Sequence, residues 1–323
     1  MLSSHRSTLA TLGLLLALTT SAAAQNAPSF RVQVTGTGRP ILLIPGLASS
    51  GDTWTTTVDH LSGRFTCHVL TLAGFAGTPP IDGPLFPTVR RELTEYIREQ
   101  HLDRPILIGH SLGGMIAMAL AADHPDLVGP LVIVDAMPFL AGPNLQVKNL
   151  AEARATVAKI EAYMSSMTQQ HWDAYATSGA STRYMVTSAT DAETLITWSA
   201  ATDRRTLTRA LVEAYSVDLR EDIAKITSPV LALGTWRGWH DQLAANKIAV
   251  PKEAFMGSFA EQFARLPRLH FALHDTARHF IMWDDPAWFF REIDTFLADP
   301  VAATRDRGFP PTPEASVRQG GAR

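Results

Sequence analysis

Ser111 stands between two glycines in Gly109-His110-Ser111-Leu112-Gly113, a G-x-S-x-G pattern. An apolar run, "PILIG", leads into it and a helical run, "GGMIAMALAADHP", leads out. A sharp strand-to-helix turn holds its serine in a strained backbone conformation, and bulky side chains two positions away on either side would collide there. Such a turn lifts the hydroxyl above the sheet edge and aims the N-terminus of the new helix at it, which favours developing negative charge. A serine hydroxyl is a poor nucleophile until a base takes its proton. The base should come later in the chain, because this kind of elbow orders its partners serine, acid, histidine. His279, in "HDTARHFIMWDDPAWFF", follows the strand-like "RLHFALH" by a short loop and precedes an amphipathic helix beginning near Asp285-Pro286. It is expected at that strand's carboxyl end, on the same edge as Ser111. His274 falls where the strand should still be ending, His240 in another loop, and His171 in a helical region.

The elements that must position these groups alternate. "FRVQVTG" has the alternation of an edge strand. "PILLIPG" and "TCHVLTLAG" are apolar runs of the kind buried on both faces of a sheet, and "GPLVIVDA", "SPVLALG" and "RLHFALH" also read as strands. "VRRELTEYIREQ" has helical spacing of Leu93, Tyr96 and Ile97. Strands alternating with helices predict an α/β fold, a mostly parallel central sheet with helices on both faces. Residues 138–225 hold no buried-strand run but contain helical pieces such as "LAEARATVAKIEAYM" and "RTLTRALVEAY". Short connections are the norm, so this stretch predicts an inserted helical lid. The core then comprises 25–137 and 226–303. The tail over 304–323, rich in Pro, Gly and charge, is expected to be disordered.

Residues 1–24 read as an export signal. Arg6 gives the positive start, Leu9 to Leu18 the apolar centre, and Ala22-Ala23-Ala24 a small-residue cleavage site. The expected location is therefore periplasmic or secreted, with no membrane span after cleavage. With 28 Lys and Arg against 31 Asp and Glu there is no basic excess, which argues against a nucleic-acid partner. Cys67 is the only cysteine, so no internal disulfide can form, and its setting in "FTCHVLTL" points to a packed thiol.

Taken together, Ser111 in GHSLGG, the early "LLIPGLASSGDTW", the "LTLAGFAGT" stretch and the late "ARHFIMWDDPAWF" resemble the α/β-hydrolase superfamily over roughly Arg31 to Ala298. The resemblance implies Ser111 as nucleophile, His279 as general base, and the backbone N–H groups of Leu47 and Leu112 as the oxyanion hole. Many members carry His-Gly where this chain has Pro45-Gly46. The family usually places its acid about three residues beyond the glycine that closes "SPVLALG". Here Gly234 is followed by Thr-Trp-Arg-Gly-Trp-His before Asp241, and no carboxylate stands in that place. Two residues could replace it. Asp135, directly after "PLVIV", would serve from one strand earlier, an arrangement some members use. Asp241 could reach back from its loop. Asp135 is the favoured choice because a strand end holds a carboxylate rigidly. Asp275, Asp284 and Asp285 fit helix caps or surface charges better.

No cofactor is expected. His240-Asp241 and His274-Asp275 are pairs of ligand types, but no metal-binding spacing occurs, nor any dinucleotide or phosphate-binding fingerprint. Tyr163, Met164, Met167, Trp172, Tyr175, Tyr184, Met185 and Trp198 of the insertion, with Trp236 and Trp239, could line an apolar pocket. The partner implied is a small, fairly apolar ester- or lactone-like substrate. The same residues would serve an amide or carbon–carbon hydrolase or a perhydrolase. The missing carboxylate after Gly234 leaves open a non-catalytic binding protein on the same fold.

Overall fold

The computed structural model describes residues 27–309 except 181, 246 and 248. The expected export segment lies outside the described residues, as do residues 310–323. Seven strands form one sheet: β1 (Phe30–Gly36), β2 (Arg39–Ile44), β3 (Phe65–Leu72), β4 (Ile106–His110), β5 (Leu131–Val134), β6 (Val230–Thr235) and β7 (Leu269–His274). Their order across the sheet is β1-β3-β2-β4-β5-β6-β7. Only β1 runs antiparallel, paired with β3; every other pairing is parallel. β1 is an edge strand with one buried residue at its start, as its alternating sequence predicts.

Successive residues on a strand face opposite sides of the sheet, and the core divides accordingly. Leu42, Ile44, Leu107, Leu131 and Ile133 join the helices Leu85–Glu99 and Leu112–Asp123 on one side. Ile41, Leu43, Ile106, Ile108, Val132 and Val134 pack with Phe289, Ile293 and Phe296 of the helix Pro286–Ala298 on the other. Both layers are apolar, which explains why the central strands read as unbroken hydrophobic runs. The helix Leu112–Asp123 has every residue but the last buried.

Between β5 and β6 the chain leaves the sheet for five helices, Ala141–Leu145, Leu150–Ser166, Gln169–Ser178, Ala189–Ala200 and Arg204–Tyr215. Two readings of the sequence need correction. Trp236, Trp239, His240 and Asp241, read as lying in a loop, belong to the helix Trp236–Ala245, which starts directly after β6. Of the tail expected to be disordered from residue 304, the described residues 304–309 are held against the sheet. The Phe271 N–H donates to the Arg307 carbonyl (3.0 Å), the Arg307 guanidinium donates to the carbonyls of Phe263 and Leu266, and the Phe309 ring stacks on Phe271. Composition spoke for disorder, but an open sheet edge needs hydrogen-bond partners, and this segment supplies them at β7. Among the described residues no helix is long and apolar enough to cross a membrane.

Candidate active site

Ser111 sits between β4 and the helix Leu112–Asp123 with φ 52° and ψ −118°, a conformation that side chains rarely adopt. The surroundings enforce it. Its N–H donates to the Val134 carbonyl (2.9 Å), and its own carbonyl accepts from Gly114 N–H (2.9 Å). A Cβ at Gly109 would strike the Gly113 carbonyl, and one at Gly113 would strike the Ile44 carbonyl. The glycine pair is thus required by closeness to backbone that cannot move.

The loop after β2 closes over the serine. A Cβ at Gly46 would lie 3.1 Å from Ser111 Cβ and 3.0 Å from His110 Nδ1, so only glycine brings this backbone so near. Ala48 turns the chain with φ 55°. The backbone N–H groups of Leu47 and Leu112 have no hydrogen-bond acceptor among the described residues. That leaves both donors open to a ligand.

His279 follows β7, and its Nδ1 lies 2.6 Å from Asp135 Oδ2. Asp135 caps β5, is 6% exposed, and has φ 47°. Its N–H donates to the Leu233 carbonyl (2.7 Å), continuing the sheet ladder one residue past the strand. Its second oxygen accepts from the Thr235 N–H (3.2 Å), where the helix Trp236–Ala245 begins. A buried carboxylate is tolerated when such donors surround it. An acceptor at Nδ1 fixes the proton there and leaves Nε2 as the basic nitrogen.

Ser111 follows β4, Asp135 follows the neighbouring β5, and His279, in the turn after β7, meets Asp135, whereas Asp241 has other partners. Asp241 Oδ2 pairs with Arg237 Nε (2.8 Å) and Arg278 Nη2 (3.3 Å), and Oδ1 faces His240 Nδ1 (3.3 Å). Partial burial opposes the charge of Asp241, but Arg237, His240 and Arg278 outweigh it and hold the carboxyl below its usual range. The early helix explains its position: Asp241 is carried along a rigid turn with no loop to reach back. His274 ends β7, where its Nδ1 accepts from the N–H groups of Thr276 and Ala277 and its Nε2 donates to Asp285 (3.0 Å). It braces the turn that carries His279. Asp285 caps the helix Pro286–Ala298 through Trp288 N–H, and Asp275 pairs with Lys252.

Three neighbours escaped sequence reasoning. Thr235 holds the acid, and its only sequence signal is its place directly after Gly234. Arg278 donates to the carbonyls of Arg183 (3.2 Å) and Val186 (3.1 Å), and Phe280 N–H donates to Met185 (3.2 Å), so the insertion is stitched to the His279 turn. His110 is 1% exposed, and its Nε2 lies 3.0 Å from the His279 carbonyl oxygen. Of the aromatic residues expected to line a pocket, Trp198 is linked to the site through a chain of rings. It meets Trp283, which stacks on Phe280, which in turn touches the rings of both His110 and His279. Tyr163 and Tyr184 are 66% and 63% exposed, and Trp236 and Trp239 pack on Phe255 instead. Among the described residues no three His, Cys, Asp or Glu side chains converge as a metal site.

Known proteins resemble this chain in sequence and in architecture. A family model for the alpha/beta hydrolase fold matches residues 39–192, a span that includes Ser111 and Asp135 but not His279. N-formylmaleamate deformylase of Pseudomonas putida is 25% identical over 271 residues, 82% of this chain and 91% of the relative. Pimeloyl-[acyl-carrier protein] methyl ester esterase of Vibrio vulnificus is 27% identical over 246 residues, 72% of this chain and 87% of the relative. A thermophilic esterase from Thermogutta terrifontis superposes with a TM-score of 0.66 at 17% identity, covering 86% of this chain and 97% of its own. With a matched span of residues 39–192 and an architecture shared along nearly the whole length of these proteins, the chain has the α/β-hydrolase fold.

Proposed function

We propose that this protein is an exported serine hydrolase that cleaves carboxylic esters or lactones through an acyl-enzyme. The observation that carries the reading is the 2.6 Å contact between His279 Nδ1 and buried Asp135, taken with a serine held at φ 52° directly after β4. Ser111 Oγ attacks the substrate carbonyl carbon while His279 Nε2 takes the hydroxyl proton. The N–H groups of Leu47 and Leu112 receive the developing oxyanion, each such donor contributing about 3 kcal/mol. His279 returns the proton to the leaving alkoxide, the C–O bond breaks, and the acyl group stays on Ser111. Water, deprotonated by the same imidazole, then releases the acid and restores the serine. Asp135 keeps the proton on Nδ1 and stabilises the imidazolium without taking the proton itself.

The feature that favoured a binding-only protein was the empty place after Gly234, and Asp135 offers a carboxylate from β5 instead. The relatives' names span deformylation and methyl-ester hydrolysis, so a substrate panel should pair esters and lactones with formamides. A fluorophosphonate probe should label the purified protein, and Ser111→Ala should abolish labelling. Absence of labelling in the wild type refutes the serine mechanism. For export, the apolar stretch Leu9 to Leu18 ahead of Ala22-Ala23-Ala24 is the support. The mature protein should begin at Gln25, and intact Met1 in protein recovered outside the cytoplasm refutes cleavage.

A further inference from the structure

We propose that His110, the residue before the elbow serine, is a positioning residue that holds the general base and the oxyanion loop in a single register. The inference rests on the roles given above to Ser111 and His279. His279 lies in a short irregular turn between β7 and the helix Ile281–Asp284, so regular structure does not fix its ring. His110 is fixed: it ends β4, in register with Val134 of β5, and is 1% exposed.

Four contacts leave this one imidazole. Its Nε2 faces the backbone carbonyl of His279 at 3.0 Å, which requires the proton on Nε2. Its ring lies 4.4 Å from the His279 ring and 4.5 Å from the Phe280 ring between centroids, tilted against both. Its Nδ1 edge packs against Gly46, where an added Cβ would come within 3.0 Å. The ring is a rigid spacer between the loop that bears Leu47 and the turn that bears His279, bonded to the latter. With Nε2 protonated, Nδ1 is a buried acceptor that finds no donor among the described residues. A spacer of volume alone would be met by an apolar side chain, with no orphaned nitrogen. An imidazole retained at that cost points to the Nε2–H bond as its purpose. Burial, with the neighbouring His279, holds its pKa well below the ordinary histidine value, so no second positive charge opposes the imidazolium formed during catalysis.

The test compares His110→Phe, which keeps a flat ring and loses the donor, with His110→Gln, whose amide nitrogen can reach the place of Nε2. Both are assayed with a p-nitrophenyl ester and by the rate of fluorophosphonate labelling. His110→Phe should lower kcat by about thirtyfold or more with KM within about twofold, the size expected for a misplaced base. His110→Gln should recover most of that loss. A His110→Phe enzyme with wild-type kcat overturns the proposal, as does equal loss in both variants. If the Phe variant does not fold, nitrogen NMR of histidine-labelled wild type decides. His110 should carry its proton on Nε2 and stay neutral at pH 6; a proton on Nδ1 overturns the assignment. Failure of the wild type to label would instead strike the serine mechanism itself, which separates the two outcomes.

Discussion

Replacing Asp135 by Asn tests the assignment of the acid. The side chain keeps its size and its bond from the Thr235 N–H, but loses its charge and can turn an amide N–H toward His279. At 2.6 Å between Nδ1 and Oδ2, the charge centres of carboxylate and imidazolium lie roughly 4 Å apart. At an effective dielectric of ~20 their attraction is about 4 kcal/mol. At ~1.4 kcal/mol per decade, that is about three decades of rate. An amide donor facing Nδ1 would also favour the tautomer that leaves Nε2 protonated, so the loss should lie between ~10²- and ~10⁴-fold in kcat. Asp241→Asn breaks ion pairs with Arg237 and Arg278 but touches neither His279 nor Ser111. Its kcat should stay within about threefold of wild type, the scale of an exposed ion pair. Ester hydrolysis at saturating substrate, with thermal melting to confirm folding, gives both numbers. An Asp135→Asn enzyme retaining a tenth of wild-type kcat, or an Asp241→Asn enzyme losing as much as Asp135→Asn, refutes the reasoning.

Other outcomes follow from the same structure. The Trp288 N–H and His274 hold the Asp285 carboxyl below its usual range. A depressed carboxylate pKa adds stability that is complete above the unfolded value near ~3.9 and disappears as pH falls through the folded value. Asp285→Ala should therefore cost about 1 kcal/mol at pH 7, and urea titrations should show the difference from wild type shrinking below pH 4. Burial pushes the Cys67 thiol up to about 11. Ellman's reagent at pH 8 should leave the native protein unmodified and react with one thiol per chain in denaturant; rapid reaction in the native state contradicts the packed-thiol reading. Gly46→Ala should reduce kcat by tenfold or more while leaving the melting temperature within a few degrees, because its new methyl meets His110 and Ser111 at the mouth of the site. An unchanged kcat there would show that the loop can retreat freely.

Most of the sheet is legible in the sequence because burial on both faces writes itself as unbroken apolar runs. β2, β4, β5 and β6 lie almost wholly within such runs, whereas β7, at the sheet edge, carries two histidines and is only half buried. Ser111 is legible for a related reason, since the elbow needs small residues at fixed offsets and a change of period across it. His279 follows from its place after a strand. The details that failed are those set by contacts distant in sequence. Nothing in "TWRGWHDQLAA" announces that a helix begins at Trp236 without an intervening loop. Residues 305–309 read as a polar tail because composition ignores the open edge of β7 that they cover. The role of Arg278 depends on carbonyls of residues 183 and 186, some ninety positions earlier, which no local pattern encodes.

The position of the acid joins these points. A helix starting at Trp236 removes the flexible loop after β6, and with it the room for a carboxylate there. What it leaves at that spot is a donor: the Thr235 N–H at a helix start, pointing at the end of β5. A carboxylate on β5 meets that donor and the imidazole together, but only if its residue accepts φ 47°. Aspartate tolerates this region better than most residues, since its short side chain pairs locally with backbone donors. Ser111 at φ 52° stands directly after β4, and Ala48 at φ 55° lies in the loop that follows the adjoining strand β2. Three strained residues side by side persist only where a rigid core over-determines them, and the apolar layers on both faces of β2, β4 and β5 supply that core. The strain is therefore borne by the same strands whose burial makes them readable, and a mutation that loosens Ile44, Ile108 or Val134 should reach the site through backbone angles before it unfolds the protein.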